Sequence, residues 1–183
     1  MSGYLKDFHQ CRTGPKGING NYRIYKLRIR KQIKKFLKTI SVSDKLIIDW
    51  GAGKRPVKFY INHTNCQIIT IDKRNHTEPD RVLDICEKQI IGKADMAFCI
   101  EVLEHCKYPD AALENISNNL KVEGIFILTV PFMLKVHSIE DYWRFTHRGI
   151  RFLLENHGFK DIKIIKFKDD ERIHYLVKSI KKG

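Results

Sequence analysis

The chain has none of the features typical of secreted, membrane-spanning or zinc-binding proteins. Its 183 residues show no signal-peptide pattern at the N-terminus, and no apolar run approaches the roughly 18 residues of a membrane-spanning helix. The 5 cysteines are scattered, odd in number and never spaced as C-x-x-C, which argues against a disulfide framework and against a zinc site. We therefore expect free thiols, no metal and a cytoplasmic location.

Acidic residues are missing from Phe8 to Ser43, a stretch with ten lysines and arginines in a chain of net charge +13. Within it, apolar residues recur every three or four positions from Tyr22 to Ile40, which predicts a helix with one apolar and one basic face. We predict that residues 1–43 are a basic leader and helix, serving as a lid or surface element, and that 44–183 form the main domain. A basic face can also contact nucleic acid or an anionic membrane or lipid phosphate, and both alternatives stay open.

Strand and helix patterns alternate along 44–183, and the chain then finishes in two strands. The predicted strands are 46–48, 67–72, 81–84, 94–100, 124–130, 161–167 and 172–179; the predicted helices are 57–63, 109–120 and 148–156. Alternation predicts a parallel sheet with helices on both faces. The last two strands are joined by a link too short for a parallel crossover, so one of them must be antiparallel. The expected fold class is α/β, a Rossmann-like doubly wound seven-stranded sheet, mostly parallel with one antiparallel strand.

Two glycines follow the first predicted strand, in the segment KLIIDWGAGKRP at 45–56. Asp49 ends the strand, Gly51 and Gly53 allow a tight turn, and Pro56 suits the first turn of a helix. A dinucleotide-binding loop needs G-x-G-x-x-G, but its third glycine position is Pro56 here, and the acid before the first glycine would repel a pyrophosphate. The pattern favours a ligand that presents positive charge.

The pattern D-x-G-x-G-x-x-P resembles motif I of the class I S-adenosylmethionine (AdoMet) methyltransferases. AdoMet carries a sulfonium and an ammonium and no phosphate. Further motifs with the same resemblance are L-E-H at 103–105, V-P-F at 130–132 and D-Y-W-R-F-T at 141–146. The resemblance covers about 44–160 and implies an AdoMet-dependent methyltransferase. The chain departs from it at the basic pair Lys54-Arg55, and the N-terminal helix matches no motif of the family.

The resemblance implies cofactor-binding roles for seven residues: Asp49, Gly51, Gly53, Asp72, Asp84, Ile85 and Glu101. The loop holds the methionine half of AdoMet, and Asp72, 23 residues after Asp49 at the end of the second strand, accepts both ribose hydroxyls. Asp84 accepts from the adenine amine, and Ile85 covers the ring. Glu101 contacts the methionine moiety or positions a loop. The alternatives are a turn-capping acid at Asp72 and a helix N-cap at Asp84.

Two histidines are candidates for a general base, because an imidazole titrates near neutral pH. His105 ends the L-E-H motif, and His137 precedes the D-Y-W-R-F-T block. The alternative for each is a histidine that only fixes the shape of its loop.

The D-Y-W-R-F-T block supplies the predicted acceptor site. Tyr142 and Trp143 offer aromatic faces to a sugar, a ring or a sulfonium, and Arg144 can grip a carboxylate or phosphate in a fork. In the alternative, Trp143 and Phe145 are part of the core, Asp141 pairs with Arg144, and Thr146 caps the next helix.

The leading interpretation is transfer of a methyl group from AdoMet to an oxygen or nitrogen of a small molecule, such as a sugar or other metabolite. The chain lacks the P-C and N-P-P-Y motifs, so chemistry at cytosine carbon, at adenine or at an amide nitrogen is not indicated. The alternatives are an RNA or other nucleic-acid methyltransferase and a non-catalytic AdoMet-binding module. A Rossmann dehydrogenase is disfavoured by Pro56 and by the acid before the glycines.

Overall fold

The structure is a computed structural model that describes residues 31–54, 56–61, 65–169 and 172–183. The predicted leader and the first part of the predicted helix at 22–40 lie outside the described residues. The described part of that helix runs through 31–37, here named α1.

Seven strands form one sheet. They are β1 (Leu46–Trp50), β2 (Gln67–Asp72), β3 (Arg81–Val82), β4 (Ala94–Ile100), β5 (Leu120–Met133), β6 (Phe159–Asp169) and β7 (Arg172–Lys181). Their order across the sheet is β3-β2-β1-β4-β5-β7-β6. β7 runs antiparallel to both of its neighbours, and the pairs from β3 to β5 are parallel. The predicted fold class is confirmed, with β7 as the reversed strand.

Helices cover both faces of the sheet. α2 (Pro109–Asn118) and α3 (His147–Asn156) pack their apolar sides on one face, and α1 packs on the other. Successive strand residues point to opposite faces, so Ile48 lies in the cluster with α2 and α3 whereas Ile47 lies in the cluster with α1. None of the described helices has the length and apolar character needed to cross a bilayer.

One face of α1 belongs to the core. Ile33 and Leu37 are 3% and 0% exposed and pack with Ile47 of β1 and Met96 of β4. Its basic side chains point outward, and the exposed lysines are Lys31, Lys34, Lys35 and Lys38. This part of the helix is therefore joined to the strands of 44–183 by a shared hydrophobic cluster, which a detached surface element would lack.

Some predicted boundaries differ from those of the structure. The predicted helix at 57–63 is wrong where the structure describes it: Val57–Phe59 form a single 3-10 turn, Val57 and Ile61 pack in the same hydrophobic cluster, and positions 62–63 lie outside the described residues. β5 extends well beyond the predicted 124–130, since its first residue pairs with Ala94 and its last with Ile173 of β7.

Steric space requires glycine at position 51 but not at position 53. Both residues have positive φ, +69° and +55°. A Cβ on Gly51 would lie 2.4 Å from a methyl of Val102, whereas a Cβ on Gly53 would meet nothing closer than 3.8 Å. The turn after β1 thus packs directly against the residues that follow β4.

We predict that Gly51→Ala destabilises the protein more than Gly53→Ala does. Both pay the left-handed backbone penalty of about 1 kcal/mol, and Gly51→Ala adds an overlap with Val102 that costs about 1–3 kcal/mol. Denaturant unfolding of the two variants measures the difference. Equal losses would contradict the close approach of the two loops.

Candidate active site

The carboxyl ends of β1, β2 and β4 lie side by side, and the loops that follow them carry most of the predicted site residues. This edge is where open α/β sheets bind their ligands. The structure brings together the glycine loop after β1, Asp72 at the end of β2 and the segment 101–105 after β4.

The backbone N–H groups around the glycine loop are donated to acceptors within the protein. The N–H of Val57 donates to Asp49 Oδ2 at 2.6 Å, and that of Gly53 donates to Asp72 Oδ2 at 2.9 Å. Ala52 N–H donates to the Ile71 carbonyl at 2.9 Å. In a phosphate-binding loop such groups point at the phosphate, at the start of a helix. Here they hold carboxylates, and the turn that follows is three residues long.

Asp49 is a buried acid, 2% exposed, near the end of β1 and just before this loop. Burial is the main reason that the pKa of Asp49 is raised to about 7; the hydrogen bond from Val57 lowers this pKa, and the charge of Asp72 adds to the rise. A positive charge bound nearby would favour the ionised carboxylate. Its contact with the methionine half of AdoMet stays a prediction.

Asp72 anchors two loops at once. Its Oδ2 accepts from Gly53 N–H, and its Oδ1 accepts from Arg74 N–H, both at 2.9 Å. This is the turn-anchoring geometry of the alternative, and it leaves lone pairs on both oxygens for a ribose. The ribose role stays a prediction.

Asp84 and Ile85 follow β3, as the predicted adenine site requires. Asp84 Oδ1 accepts from the N–H of Cys86 at 2.8 Å, so the acid closes a turn and caps no helix in the described residues. Ile85 is 8% exposed and belongs to the core. Their roles toward adenine stay predictions.

Glu101 begins the segment after β4 in a left-handed conformation, φ +57°. Its N–H donates to Thr129 of β5, and its carboxylate pairs with His174 Nδ1 at 3.1 Å. Burial raises the pKa of Glu101, but the hydrogen bond and charge of His174 more than offset this and hold it below its usual value. Sequence reasoning missed His174, which lies on β7 and has no motif around it.

Glu104, His105 and His137 form a cluster beside this segment. Glu104 is 0% exposed, and neither of its carboxylate oxygens has a hydrogen-bond partner among the described residues. His105 Nε2 lies 3.6 Å from Glu104 Oε1, and the rings of His105 and His137 are 5.0 Å apart. Burial, and then the charge of Glu101, raise the pKa of Glu104 well above its usual value. The structure thus joins the two predicted histidines, and it adds Glu104, to which no role was assigned.

The segment 134–145, here named the strap, carries the predicted acceptor residues. All five N–H groups of Arg144 are donated inside the strap. Nη1 and Nη2 fork onto Asp141 at 2.5 and 2.7 Å, and the remaining bonds go to the carbonyls of Leu134, Lys135 and Trp143. This geometry supports the alternative in which Arg144 pairs with Asp141. A direct contact with the acceptor stays a prediction.

The aromatic residues of the strap are partly exposed. Tyr142 and Trp143 are 50% and 42% exposed, so Trp143 is not a core residue, and its Nε1 donates to the Cys106 carbonyl at 2.8 Å. Phe145, 6% exposed, is in the core, and the Thr146 hydroxyl caps α3 by accepting from Gly149 N–H. Tyr142 and Trp143 therefore offer accessible ring surface, as an acceptor site requires.

The fold is that of a Rossmann-like α/β protein. In its crevice, backbone N–H groups donate to carboxylates, whereas in a dinucleotide-binding protein they donate to a phosphate. A family model described as "Methyltransferase domain" matches residues 22–164. The chain belongs to this methyltransferase family. The match begins at the predicted N-terminal helix, upstream of the motifs.

Solved structures support the same fold at low sequence identity. The 1,6-didemethyltoxoflavin-N1-methyltransferase of Burkholderia thailandensis, with bound S-adenosylhomocysteine (AdoHcy), is 17% identical with a TM-score of 0.65, over 82% of this chain and 76% of that one. The N-methyltransferase NodS of Bradyrhizobium japonicum is 12% identical with a TM-score of 0.66, over 85% and 96%. Phosphoethanolamine N-methyltransferase 2 of Haemonchus contortus, with bound AdoMet, is 14% identical with a TM-score of 0.62, over 83% of this chain and 53% of that one. No curated protein sequence matches the chain. The AdoHcy and AdoMet bound in two of these structures support AdoMet as the cofactor.

We predict that Asp49→Asn removes a pH-dependent loss of stability. The folded-state pKa of Asp49 is raised from 3.8 to about 7, so between these values the folded chain holds a proton that the unfolded chain releases, and stability falls as pH rises. Asparagine keeps an acceptor for Val57 N–H. The stability of the variant relative to wild type should therefore rise by roughly 2–3 kcal/mol from pH 5 to pH 8. Denaturant unfolding measures this, with the exposed Asp44→Asn as control; parallel pH profiles would contradict it.

Arg144→Lys tests whether the strap depends on the Arg144 fork. Lysine cannot reproduce the planar five-donor pattern, so we expect a loss of about 1–3 kcal/mol in unfolding free energy. The exposed Arg148→Lys on α3 is the matched control. Unchanged stability of Arg144→Lys would return Arg144 to the acceptor role.

Proposed function

We propose that the protein is an AdoMet-dependent methyltransferase that acts on an oxygen or nitrogen atom of a small molecule. The observation that carries this proposal is the donation of the loop N–H groups of Gly53 and Val57 to Asp72 and Asp49. A crevice built on carboxylates suits a cofactor with a sulfonium and an ammonium, and it does not suit a pyrophosphate.

The residues at the sheet edge fit AdoMet. Asp49 and Asp72 are 2% and 9% exposed at the ends of adjacent strands, and the open space around Gly53 leaves room for a ligand next to the backbone. In this proposal the glycine loop and Glu101 hold the methionine half, Asp72 the ribose and Asp84 with Ile85 the adenine. When bound, AdoMet supplies an activated methyl group. The task of the chain is then to align the acceptor, which can contribute about 7–11 kcal/mol in favourable cases.

A small acceptor is supported by the strap and by the comparisons. Tyr142 and Trp143 present accessible aromatic surface beside the segment after β4, where their backbone N–H groups donate to the Glu104 carbonyl at 2.9 and 3.3 Å. His105 and His137 place their ring nitrogens in the same region. Two of the similar structures carry the names of small-molecule N-methyltransferases, one for 1,6-didemethyltoxoflavin and one for phosphoethanolamine.

A nucleic-acid acceptor is the second candidate. The observation in its favour is the exposed lysine face of α1, formed by Lys31, Lys34, Lys35 and Lys38. None of the similar structures reported above names a nucleic acid. An RNA acceptor would reveal itself by binding that falls steeply as salt rises.

A cytoplasmic location belongs to the same proposal. Cys86, Cys99 and Cys106 are free thiols, which is usual where the environment is reducing.

Asp72→Ala should weaken AdoHcy binding by at least about 100-fold, because a buried acid that accepts hydroxyl hydrogen bonds contributes about 1.5–3 kcal/mol for each bond to a charged group. Calorimetric titration of the full chain with AdoHcy measures this, with NAD as the negative ligand. Asp80→Ala is the matched control, because Asp80 also anchors a loop to β2, by accepting from the N–H and the hydroxyl of Thr70 at 2.8 and 2.6 Å.

The control separates the ribose contact from loop anchoring. We expect Asp80→Ala to lose stability but to keep its affinity for AdoHcy. Equal losses of affinity in both variants would contradict the ribose role of Asp72. Binding of NAD in place of AdoHcy, or of neither, would overturn the proposed cofactor. With AdoHcy binding established, transfer of a labelled methyl group to sugars, amines and RNA tests the class of acceptor.

A further inference from the structure

The Glu104 carboxylate is buried without any hydrogen-bond donor among the described residues. It is 0% exposed, and both Oε1 and Oε2 lack a partner. A buried carboxylate in this state is costly unless it is paired or coordinates a metal. The backbone around it is well satisfied, since the Glu104 carbonyl accepts from the N–H groups of Tyr142 and Trp143. Only the side chain lacks a hydrogen bond among the described residues.

Two imidazoles lie against this carboxylate. Glu104, His105 and His137 each offer one ligand atom, and these atoms all lie within 4.8 Å of one another. Two ligands of a tetrahedral ion with bonds of about 2.0–2.1 Å are about 3.4 Å apart. The ligand atoms would therefore have to move closer together when an ion binds.

Both histidines are oriented by their other ring nitrogen. His105 Nδ1 donates to the Glu140 carbonyl, which leaves its Nε2 on the side of Glu104, 3.6 Å from Oε1. His137 Nδ1 pairs with Asp141 Oδ2 at 2.8 Å, so the ligand atom of this residue would be Nε2. Metal-binding histidines usually donate their second N–H to a carbonyl or carboxylate in this way, which fixes the tautomer and the direction of the ring.

We propose that Glu104, His105 and His137 bind a divalent transition-metal cation. Two imidazoles and one carboxylate form a donor set for Zn²⁺, Fe²⁺, Mn²⁺ or Co²⁺. Mg²⁺ prefers oxygen ligands and fits poorly. Three protein ligands leave coordination positions open, as in a catalytic rather than a purely structural site. This inference replaces the expectation of a chain without metal, which was drawn from the cysteine spacing alone.

The task assigned to the cation rests on the proposed function. A cation at this place would bind the acceptor's hydroxyl and lower its pKa, so that the proton passes to solvent and the oxygen can take the methyl group. The histidines would then hold the cation, and neither would need to take the proton of the acceptor. Metal binding itself is testable without any acceptor.

The experiment is a titration of tag-free, chelator-treated full-length protein with Co²⁺, followed by visible absorption and calorimetry. We expect one Co²⁺ for each chain with nitrogen and oxygen ligation. Glu104→Gln, His105→Gln and His137→Gln should each weaken binding by more than about 100-fold, which exceeds the 10–100-fold typical of outer-shell changes. The exposed His76→Gln is the matched control and should bind Co²⁺ like wild type.

Glu104→Gln adds a second measurement, because the amide has nearly the same shape but is uncharged. Zn²⁺ should raise the melting temperature of wild type and His76→Gln but not that of Glu104→Gln. Absence of Co²⁺ binding, equal binding by all variants, a thiolate-to-cobalt charge-transfer band that persists in all variants, or a preference for Mg²⁺ would overturn the proposed site.

Titration with AdoHcy in the absence of metal separates this inference from the proposed function. If AdoHcy binds to wild type and to Glu104→Gln alike while Co²⁺ does not bind to wild type, the metal site fails and the methyltransferase proposal stands. If Co²⁺ binds as expected and AdoHcy does not, the metal site stands and the proposed cofactor fails.

Discussion

A carboxylate buried at the end of a strand must receive hydrogen-bond donors or a neighbouring positive charge, because its desolvation is otherwise too costly. Four acids at the carboxyl edge of this sheet meet that requirement in different ways, whereas Glu104 has no hydrogen-bond donor among the described residues. Asp49 and Asp72 take backbone N–H groups from the loops beside them, Glu101 takes His174, and Asp141 takes Arg144. The loops of the site are therefore folded so that their N–H groups and side chains contact these buried acids. The geometry of the loops follows from this requirement.

This arrangement gives the crevice a charge opposite to that of the chain as a whole. The net charge is +13, yet the residues buried at the ends of β1 and β2 are acids, while the lysines of α1 lie on the outside. The electrostatic attraction of a cationic cofactor is therefore local and operates against a positive background. Because buried charges are screened by salt much less than exposed ones, salt should affect cofactor binding less than any contact made by the lysine face.

The parts of the fold that depend on nearby residues were predictable, and those that depend on distant contacts were not. β2 and β4 begin and end where the apolar runs at 67–72 and 94–100 predict, and Gly51 and Gly53 have the positive φ that their spacing implies. Local periodicity carries no information about which residues meet across the sheet. The pairing of Glu101 with His174 and the burial of Glu104 arise from such contacts. The motifs therefore identify these residues as site candidates but do not show which residues surround them.

One residue of the strap, Glu140, contacts both the end of β2 and the segment after β4. The Glu140 carboxylate pairs with Lys73, the residue after β2, at 2.8 Å. Its backbone carbonyl accepts from His105, which follows β4. Four residues further along the strap, Arg144 pairs with Asp141, and Asp141 in turn orients His137. Since Lys73 lies next to Asp72, Glu140 connects the end of β2 with His105 through one ion pair and one hydrogen bond. The strap thus contacts the loop after β2 and orients both histidines, so one segment of the chain fixes these parts of the crevice relative to one another.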